Sequence, residues 1–279
     1  METETTPASG TTTRRLAALA AGLALLLAGC LVTPGKFDAA LDVRRDGHFS
    51  FSYKGEIFVL ALSDMDDGNA AAPFRPEPCH VDKTALTHPC TAEELDAQRG
   101  AWEQKKAKKA GEMAAAKAML GVDPSDPHAA AEFAQRLMRQ AGWRSVVDEG
   151  NGRFAVDYAI AGRLDHDFAF PTIERMPMVV PFVAVTRRAD GSVRIETPGM
   201  GAGSGPAMMA AMGQGAAAPG GKKLPFPVID GRFSIVTDGA VLANDTDEGP
   251  KQGPAGTRLD WHVGGGAAQA PSPSALIRL

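Results

Sequence analysis

The chain first alternates apolar and polar positions in the manner of β-strands. Alternation over 41–43 and again over 49–53 flanks Asp46-Gly47. An Asp-Gly pair between two alternating runs is a strong hairpin signal. A further apolar run, 57–62, extends the second strand or starts a third. The pattern therefore predicts an antiparallel hairpin where the folded domain begins.

A first helix is predicted after a loop at 63–90. Thr91 and Glu94 have the spacing of a capping box, in which each side chain accepts a hydrogen bond from the other residue's backbone N–H. The helical pattern continues to about Leu120, and Gly121 is its stop. Its apolar stripe is thin among alanines, so we expect this helix to be half exposed.

A second helix is predicted directly afterwards. Asp126 is the expected N-cap, and Pro127 fits the first turn, where its missing N–H costs nothing. Gly142 is expected to end the helix. Its buried face is predicted to comprise Ala130, Phe133, Leu137 and Ala141.

The strand period returns from Trp143 onward. Its apolar runs are 146–147, 154–160, 179–185, 193–195, 233–237, 259–263 and 275–279. The turns 149–152 and 190–191 separate neighbouring runs, and Asp238-Gly239 follows another. Tight turns of this kind imply antiparallel neighbours. The sequence therefore predicts an α+β fold, a curved antiparallel sheet of Asp-Gly hairpins with two consecutive helices packed on one face.

Two segments interrupt this order. Residues 199–221 are nearly all Gly, Ala, Met and Pro, so they cannot bury a core and are predicted to form a flexible insertion. Residues 264–274 are similarly loose. The remainder of 37–279 is expected to be one domain.

The first thirty residues resemble an export signal. Arg14 and Arg15 precede an apolar run, Leu16–Leu27, and the segment ends Leu27-Ala28-Gly29-Cys30. Small residues followed by cysteine fit the bacterial lipobox. We expect residues 1–29 to be a lipoprotein signal peptide, cleaved before a Cys30 that carries diacylglycerol and palmitate. The alternative is an uncleaved transmembrane anchor over 16–32, which is about the minimum length for spanning a bilayer.

The residues after the cleavage site indicate the expected location in the cell envelope. Residues 30–36 are predicted to be a lipidated tether to the membrane. Leu31 follows the cysteine in place of an aspartate, which favours the outer membrane over the inner membrane. The domain would then face the periplasm or the cell surface.

Two cysteines remain after Cys30. Cys79 and Cys90 form an even pair, and in an oxidising compartment such a pair predicts a disulfide. The alternative is a metal site, because His80 and His88 lie in the same segment. Zinc sites usually bring their cysteines in closer pairs, so the disulfide is favoured and no metal is predicted.

Composition limits the classes of partner. Removing residues 1–29 leaves 250 residues and takes away two Arg and two Glu, so the net charge stays at -4. A mildly acidic chain with few aromatics argues against a nucleic-acid partner. The basic run 105–109 falls within the first helix and is interpreted as a solvated face, with contact to anionic head groups as the alternative.

No cofactor motif or catalytic constellation stands out. The acidic segments 64–68 and 245–249 resemble the start of a calcium loop, but Arg75 and Gly256 occupy the position that requires a bidentate glutamate. Both are interpreted as solvated turns, with weak calcium binding as the alternative. No nucleophile is identifiable for His166, which lies between two aspartates.

The order of these features resembles the LppM-type envelope lipoproteins. A lipobox is followed by a glycine-turned hairpin, then helices ending Ala141-Gly142-Trp143, then strands with Thr237-Asp238-Gly239-Ala240-Val241 and one that carries Trp261. The resemblance covers most of the mature chain as a layout. It implies a soluble α+β domain likened to lipid-binding domains, and it carries over no functional residue. The cysteine segment and the 199–221 insertion depart from that layout.

The favoured function is a non-catalytic, membrane-anchored envelope protein that binds a lipid or apolar ligand, or scaffolds an envelope partner. The hypothesis for a ligand site is that the second helix meets the strands incompletely. Its candidate residues are Phe133, Leu137, Phe154, Val156, Tyr158, Val183 and Val185. The alternative is an envelope enzyme, a hydrolase or a metal-dependent one, that uses the region of His80 and His88.

Overall fold

The computed structural model of this chain describes residues 32–62, 73–80, 86–174, 176, 179–200, 229–264 and 272–279, and the side chains of Glu112 and Met119 are outside this description. Residues 1–29, which are predicted to be a signal peptide, and Cys30 thus lie outside the described residues. So do residues 201–228 and 265–271, which make up nearly all of the two loose segments.

The described part of the chain forms fourteen strands, two α-helices and one 3₁₀ turn. In chain order they are β1 (Val32–Val43), β2 (His48–Val59), the 3₁₀ turn (Leu60–Leu62), β3 (Cys79–His80), β4 (Thr87–His88), α1 (Ala92–Leu120), α2 (Ala129–Met138), β5 (Trp143–Gly150), β6 (Arg153–Arg163), β7 (Phe168–Phe170), β8 (Val183–Arg187), β9 (Ser192–Glu196), β10 (Asp230–Thr237), β11 (Ala240–Asn244), β12 (Lys251–Gly253), β13 (Gly256–Gly264) and β14 (Ser274–Arg278). The prediction of an α+β fold with mostly antiparallel strands and two consecutive helices is confirmed.

The larger sheet has seven strands in the order β12-β13-β10-β1-β2-β6-β5. The hairpin at Asp46-Gly47 joins β1 to β2 as predicted. Gly47 adopts a positive φ of 82°, and the Asp46 carboxylate accepts a hydrogen bond from the backbone N–H of His48 at 3.0 Å. The aspartate thus closes the turn, and the glycine takes the left-handed conformation that the turn needs.

One pair in this sheet is parallel, beside the antiparallel pairs that the turn residues predict. Strand β1 pairs with β10 in register from Lys36 opposite Asp230 to Val43 opposite Thr237. Parallel neighbours need a long crossover connection, and here residues 44–229 lie between the two strands. Turn residues specify only the pairs that are adjacent in sequence.

A second, five-stranded sheet has the order β11-β14-β9-β8-β7. The strands on either side of Asp238-Gly239, β10 and β11, belong to different sheets, so this turn does not join neighbours within one sheet. Gly239 lets the turn lie close to the backbone of β14, because a Cβ at this position would be only 2.6 Å from the carbonyl oxygen of Arg278. The chain crosses between layers at this point.

Helix α1 begins and ends where the sequence predicts. Thr91 and Glu94 form the capping box, and Gly121 ends the helix with a φ of 66°. Among the helix side chains that are described, only Ala116 and Leu120 are buried. Most of this 29-residue helix is therefore exposed, as its alanine-rich pattern predicts.

Helix α2 is shorter than predicted. It covers Ala129–Met138, so the expected N-cap Asp126 lies before it and Ala141 lies beyond it and is exposed. The carboxylate of Asp126 accepts a hydrogen bond from the backbone N–H of His128 at 2.8 Å, which closes a separate turn ahead of the helix. Because the Asp126 side chain forms this local turn, the helix does not start at Asp126 and begins three residues later.

The core lies between one face of the seven-stranded sheet and a second layer made of the five-stranded sheet and α2. Tyr53 and Tyr158 of the larger sheet contact Phe170 of β7, with ring centroids 4.9 and 4.6 Å apart. Phe133 of α2 contacts Phe154 of β6 at 5.4 Å. Both components of the second layer thus cover the same face.

Several predicted boundaries shift. Strand β1 starts at Val32, so residues 32–36 belong to the sheet and not to a tether. Gly199 and Met200 are part of the fold, since Met200 is 2% exposed, and Gly264 and Ser274 lie in strands. Residues 179–182 are irregular, and the strand begins only at Val183.

Candidate functional site

The seven residues proposed to line a ligand site all lie in the core. Each of them is buried: Phe133, Leu137, Phe154, Val156, Tyr158, Val183 and Val185. The ring of Phe133 packs on Phe154, and Tyr158 packs on Trp143 at 5.2 Å. Ligand binding by these side chains stays a prediction, and a ligand would have to displace the contacts they make with one another.

The second layer contributes a ring that sequence reasoning did not single out. Phe170, which is fully buried, contacts five aromatic side chains of both layers at centroid distances of 4.6 to 5.9 Å: Phe51, Tyr53, Trp143, Tyr158 and Phe182. Burial raises the pKa of the Tyr53 hydroxyl well above its usual value. This hydroxyl donates to the carbonyl of Glu56 at 2.8 Å, which satisfies it inside the core.

The predicted disulfide between Cys79 and Cys90 is present, with an S–S distance of 2.09 Å. It joins two short paired strands, in which Cys79 lies opposite His88. Gln98 of α1 holds this segment: its amide accepts from the backbone N–H of Glu77 at 2.9 Å and donates to the Cys79 sulfur at 3.3 Å. The disulfide therefore fixes a loop against the first turns of α1.

Aromatic and cationic side chains extend this contact along the helix. The rings of Phe74 and Trp102 meet edge to face at 6.0 Å, and the guanidinium of Arg99 lies 5.6 Å from the Phe74 ring. Lys106, part of the basic run, lies 4.9 Å from the Trp102 ring. This lysine thus has a cation–π partner on its own helix.

The histidines of the disulfide segment have local partners. The His88 Nε2 lies 3.2 Å from the Glu94 carboxylate, and its Nδ1 lies 2.9 Å from the carbonyl of Pro89. The pKa of Glu94 is lowered, chiefly by the hydrogen bond from the Thr91 backbone N–H. Both thiols are consumed by the disulfide, so they are not available as metal ligands. His80 is exposed and lies opposite Thr87.

Within the described ranges, no group of three or more His, Cys, Asp or Glu side chains lies close enough to hold a metal ion. His48, His166 and His262 each face one carboxylate, at 2.8, 2.9 and 3.3 Å. These three pairs are exposed to solvent and lie on separate turns and strands.

Asp245, considered above as the start of a calcium loop, has a structural role. Its carboxylate accepts from the Trp261 indole N–H at 2.8 Å, and from the Ser274 backbone N–H and hydroxyl at 2.8 and 2.9 Å. Neither oxygen is left unpartnered. The other candidate calcium loop, 64–68, lies outside the described residues.

A shallow cleft of about 270 Å³, lined by both polar and apolar side chains, lies beside Asp245 on the five-stranded sheet. Arg194 of β9 pairs there with Glu196 at 2.5 Å, and Arg188 and Asn244 also line the cleft. Sequence reasoning missed this cleft because it depends on β9, β14 and β11 being neighbours. No local signal specifies that order.

One end of the seven-stranded sheet is the end at which β1 starts and β2 finishes. Val32 pairs with Val59, the last residue of β2, and the Val59 N–H donates to the Gly152 carbonyl at 2.7 Å. The 3₁₀ turn Leu60–Leu62 and the β5–β6 turn at 150–152 therefore lie beside Val32. We call this surface, formed by Val32, Leu60–Leu62 and 147–152, the Val32 end.

The Val32 end carries apolar side chains. All three residues of the 3₁₀ turn are half-buried, and Val147 of the edge strand β5 is 54% exposed. Asp148, Glu149 and Arg153 flank the turn and are exposed. Cys30 itself lies outside the described residues.

In the part of the chain that the structure describes, neither helix is both long and apolar enough to cross a membrane. No protein-family model matches the chain, and no curated protein matches it. Among solved structures, the NMR structure of the folded domain of LppM from Mycobacterium tuberculosis is similar, with a TM-score of 0.30 and 13% identity over 89% of this chain and 91% of that chain. The chain thus has a distant structural neighbour in this domain.

Proposed function

We propose that this chain is an exported lipoprotein, acylated on Cys30 and held at the outer membrane, whose domain acts without catalysis as a scaffold for an envelope partner. The observation that carries the proposal is the Cys79–Cys90 disulfide in a chain whose other cysteine ends a lipobox. Disulfides persist in the oxidising compartments outside the cytoplasm. The lipobox and the disulfide thus favour the same side of the membrane.

Packing favours a scaffold over a ligand-filled cavity. The side chains that would line the cavity instead contact one another across the two layers, with Phe133 on Phe154 and Tyr158 on Phe170. Close-packed side chains of this kind leave little room for an acyl chain without rearrangement. The core therefore serves to hold the outer surfaces in place.

The exposed face of the seven-stranded sheet offers a surface for a protein partner. The strand register sets Arg232, Asp38, Lys54 and Asp157 side by side across β10, β1, β2 and β6. Their charges alternate in sign, so neighbours stabilise one another across the strands. A partner with the opposite pattern would be oriented by this row.

The alternative of an envelope enzyme that uses His80 and His88 has less support. Both ring nitrogens of His88 lie within hydrogen-bonding distance of a local partner. His80 is exposed on a two-residue strand, opposite Thr87. The surroundings of the two histidines favour a structural role in this loop over a catalytic one.

The proposal is tested by Cys30→Ser in a bacterial host that exports the chain, with incorporation of a palmitate analogue and the mass of the processed protein as readouts. We expect the substitution to abolish labelling and to leave the unprocessed precursor. The double variant Cys79→Ser/Cys90→Ser is the matched control, because it also removes thiols but keeps the lipobox, and it should label like the wild type.

Labelling of the Cys30→Ser protein, or a wild-type protein that retains residues 1–29, would show that the chain is not a lipoprotein. Sedimentation of membranes on a sucrose gradient then places the wild type. We expect it with the outer-membrane fractions, and recovery with the inner membrane would contradict that location.

A further inference from the structure

We propose that the Val32 end of the seven-stranded sheet is a membrane-contacting surface, pressed against the phospholipid head groups by the anchor on Cys30. This inference rests on the proposed lipidation of Cys30. It goes further in naming the surface that meets the bilayer and the orientation of the domain above it.

The length of chain between anchor and sheet carries the argument. One residue, Leu31, separates Cys30 from Val32. An extended chain spans at most about 3.6 Å per residue, so two residues limit the separation between the anchored cysteine and Val32 to about 7 Å. Val32 is 4% exposed and is paired with Val59, so this position is fixed in the fold. The acyl chains therefore enter the bilayer directly below the sheet.

The direction of the strands decides what else is brought to the bilayer. Strand β2 ends opposite Val32 and continues into Leu60–Leu62, and the β5–β6 turn is hydrogen-bonded to Val59. These are the segments that share the Val32 end. The β1–β2 turn lies at the other end of a twelve-residue strand, roughly 36 Å away at about 3.3 Å per residue.

The chemistry of the Val32 end fits the bilayer interface. The half-buried 3₁₀ turn and the exposed Val147 present apolar groups next to the anchor. The charges that flank the β5–β6 turn are two acidic and one basic, from Asp148, Glu149 and Arg153, and a further acidic residue, Glu56, lies in the same cross-strand row as Val147. This end is not a cationic patch, so contact with zwitterionic lipid depends on apolar insertion and on the anchor, and not on attraction to anionic head groups.

The test uses the lipidated full-length protein in phosphatidylcholine vesicles. Val147→Cys is labelled with an environment-sensitive fluorophore without reductant, so the disulfide stays closed, and quenching by a lipid with a spin-labelled head group is measured. Arg45→Cys, an exposed position in the β1–β2 turn, is the matched control. We expect quenching at position 147 to exceed that at position 45 several-fold, and to be unchanged by high salt.

Equal quenching at the two positions, or loss of the signal at position 147 in high salt, would overturn the inference. Glu149→Cys, which is also exposed at the Val32 end, provides a second reporter should the first variant fail to fold. A further variant inserts about ten Gly and Ser residues between Leu31 and Val32, which lets the domain move by roughly 17 Å. We expect this insertion to reduce quenching at position 147 at least twofold, and unchanged quenching would refute the role of the short link.

Mass spectrometry of the N-terminal peptide from the same samples separates the two proposals. An unacylated Cys30 would overturn the lipoprotein function. An acylated Cys30 with no excess quenching at position 147 would leave that function standing and would overturn the membrane contact alone.

Discussion

Gly142 shows how closely one position can be specified by its neighbours. It lies between α2 and β5 with a φ of 92°, and its carbonyl accepts a hydrogen bond from the Ala159 N–H at 2.9 Å. A Cβ at this position would lie 2.5 Å from a ring carbon of Tyr158. That ring is itself held by Trp143, so it has little freedom to move aside.

We expect Gly142→Ala to lower the free energy of unfolding by about 2 to 4 kcal/mol. A left-handed conformation costs an L-residue about 1 to 2 kcal/mol, and overpacking against the tyrosine adds about 1 to 3 kcal/mol. Urea unfolding of the purified, oxidised protein, followed by tryptophan fluorescence, measures the change.

Gly100→Ala is the matched control, since it makes the same substitution within α1. No atom lies within 4 Å of the added Cβ there. Alanine is the better helix former, so the control should be neutral or more stable by up to about 1 kcal/mol. A Gly142→Ala protein as stable as Gly100→Ala would mean that the α2–β5 junction is not packed as described.

Asp245 marks the limit of what individual residues reveal in sequence. Its acidic neighbours favoured a solvated turn or weak calcium binding, whereas its actual partners are Trp261 and Ser274. These residues approach only after β13 and β14 have joined their separate sheets. Cys79 and Cys90 could be paired from sequence because the number of cysteines and the compartment leave few alternatives.

Local sequence signals, such as helix caps and turn residues, predict the individual helices and hairpins better than they predict which strands become neighbours. The capping box of α1 and the hairpins at Asp46-Gly47 and Asp190-Gly191 form as predicted, because each depends on hydrogen bonds within a few residues. The parallel pairing of β1 with β10 and the crossing at Asp238-Gly239 were missed. Both depend on which distant strand supplies the neighbour, and a turn residue carries no such information.

Helix α1 consists of two parts with different support. Its last turns are joined to α2, where the Arg136 guanidinium donates to the carbonyls of Leu120 and Gly121. Its first turns contact the disulfide segment through Gln98 and Trp102. The first half is therefore stabilised by a loop and not by the sheet.

We expect reduction of the disulfide to loosen the first half of α1 while the seven-stranded sheet stays intact. A disulfide that closes a loop of this size contributes about 3 kcal/mol to the stability of the segment, and reduction removes that contribution. Hydrogen exchange followed by mass spectrometry should show faster exchange over residues 92–102 and unchanged exchange in β1, β2 and β6.

The Cys79→Ser/Cys90→Ser protein is the control for this experiment. It should show the faster exchange from the outset and should not respond to reductant. Faster exchange throughout β1 and β2 on reduction would contradict the local role of the disulfide.

The two layers of the molecule are joined by aromatic contacts more than by shared strands. The chain passes between the two sheets five times among the described strands, but no strand belongs to both, and the rings around Phe170 fill the space between them. Such rings bury a large apolar area and also interact through their geometry. The stability of the whole fold should therefore depend strongly on this one side chain.

We expect Phe170→Ala to lower the free energy of unfolding by about 3 to 5 kcal/mol, the usual loss for a fully buried phenylalanine. Phe74→Ala is the matched control: Phe74 is half-buried beside Trp102 and lies outside the core, so its loss should cost less than about 1 kcal/mol. Thermal and urea unfolding of both variants measure the difference. Equal losses would show that the layers are not held together at Phe170.

The position of β1 and β14 bears on when this chain can fold. Strand β1 is the middle strand of its sheet, and β14, the last described strand, lies inside the other sheet between β11 and β9. Neither sheet can be completed while the second half of the chain is still being synthesised, because β1 pairs with β10 and β9 pairs with β14. The hairpins β1–β2 and β5–β6 can form early, but the two sheets stay incomplete until β13 and β14 have been made. In a chain exported as we propose, this order postpones completion of the fold to the far side of the membrane, where the two cysteines can oxidise.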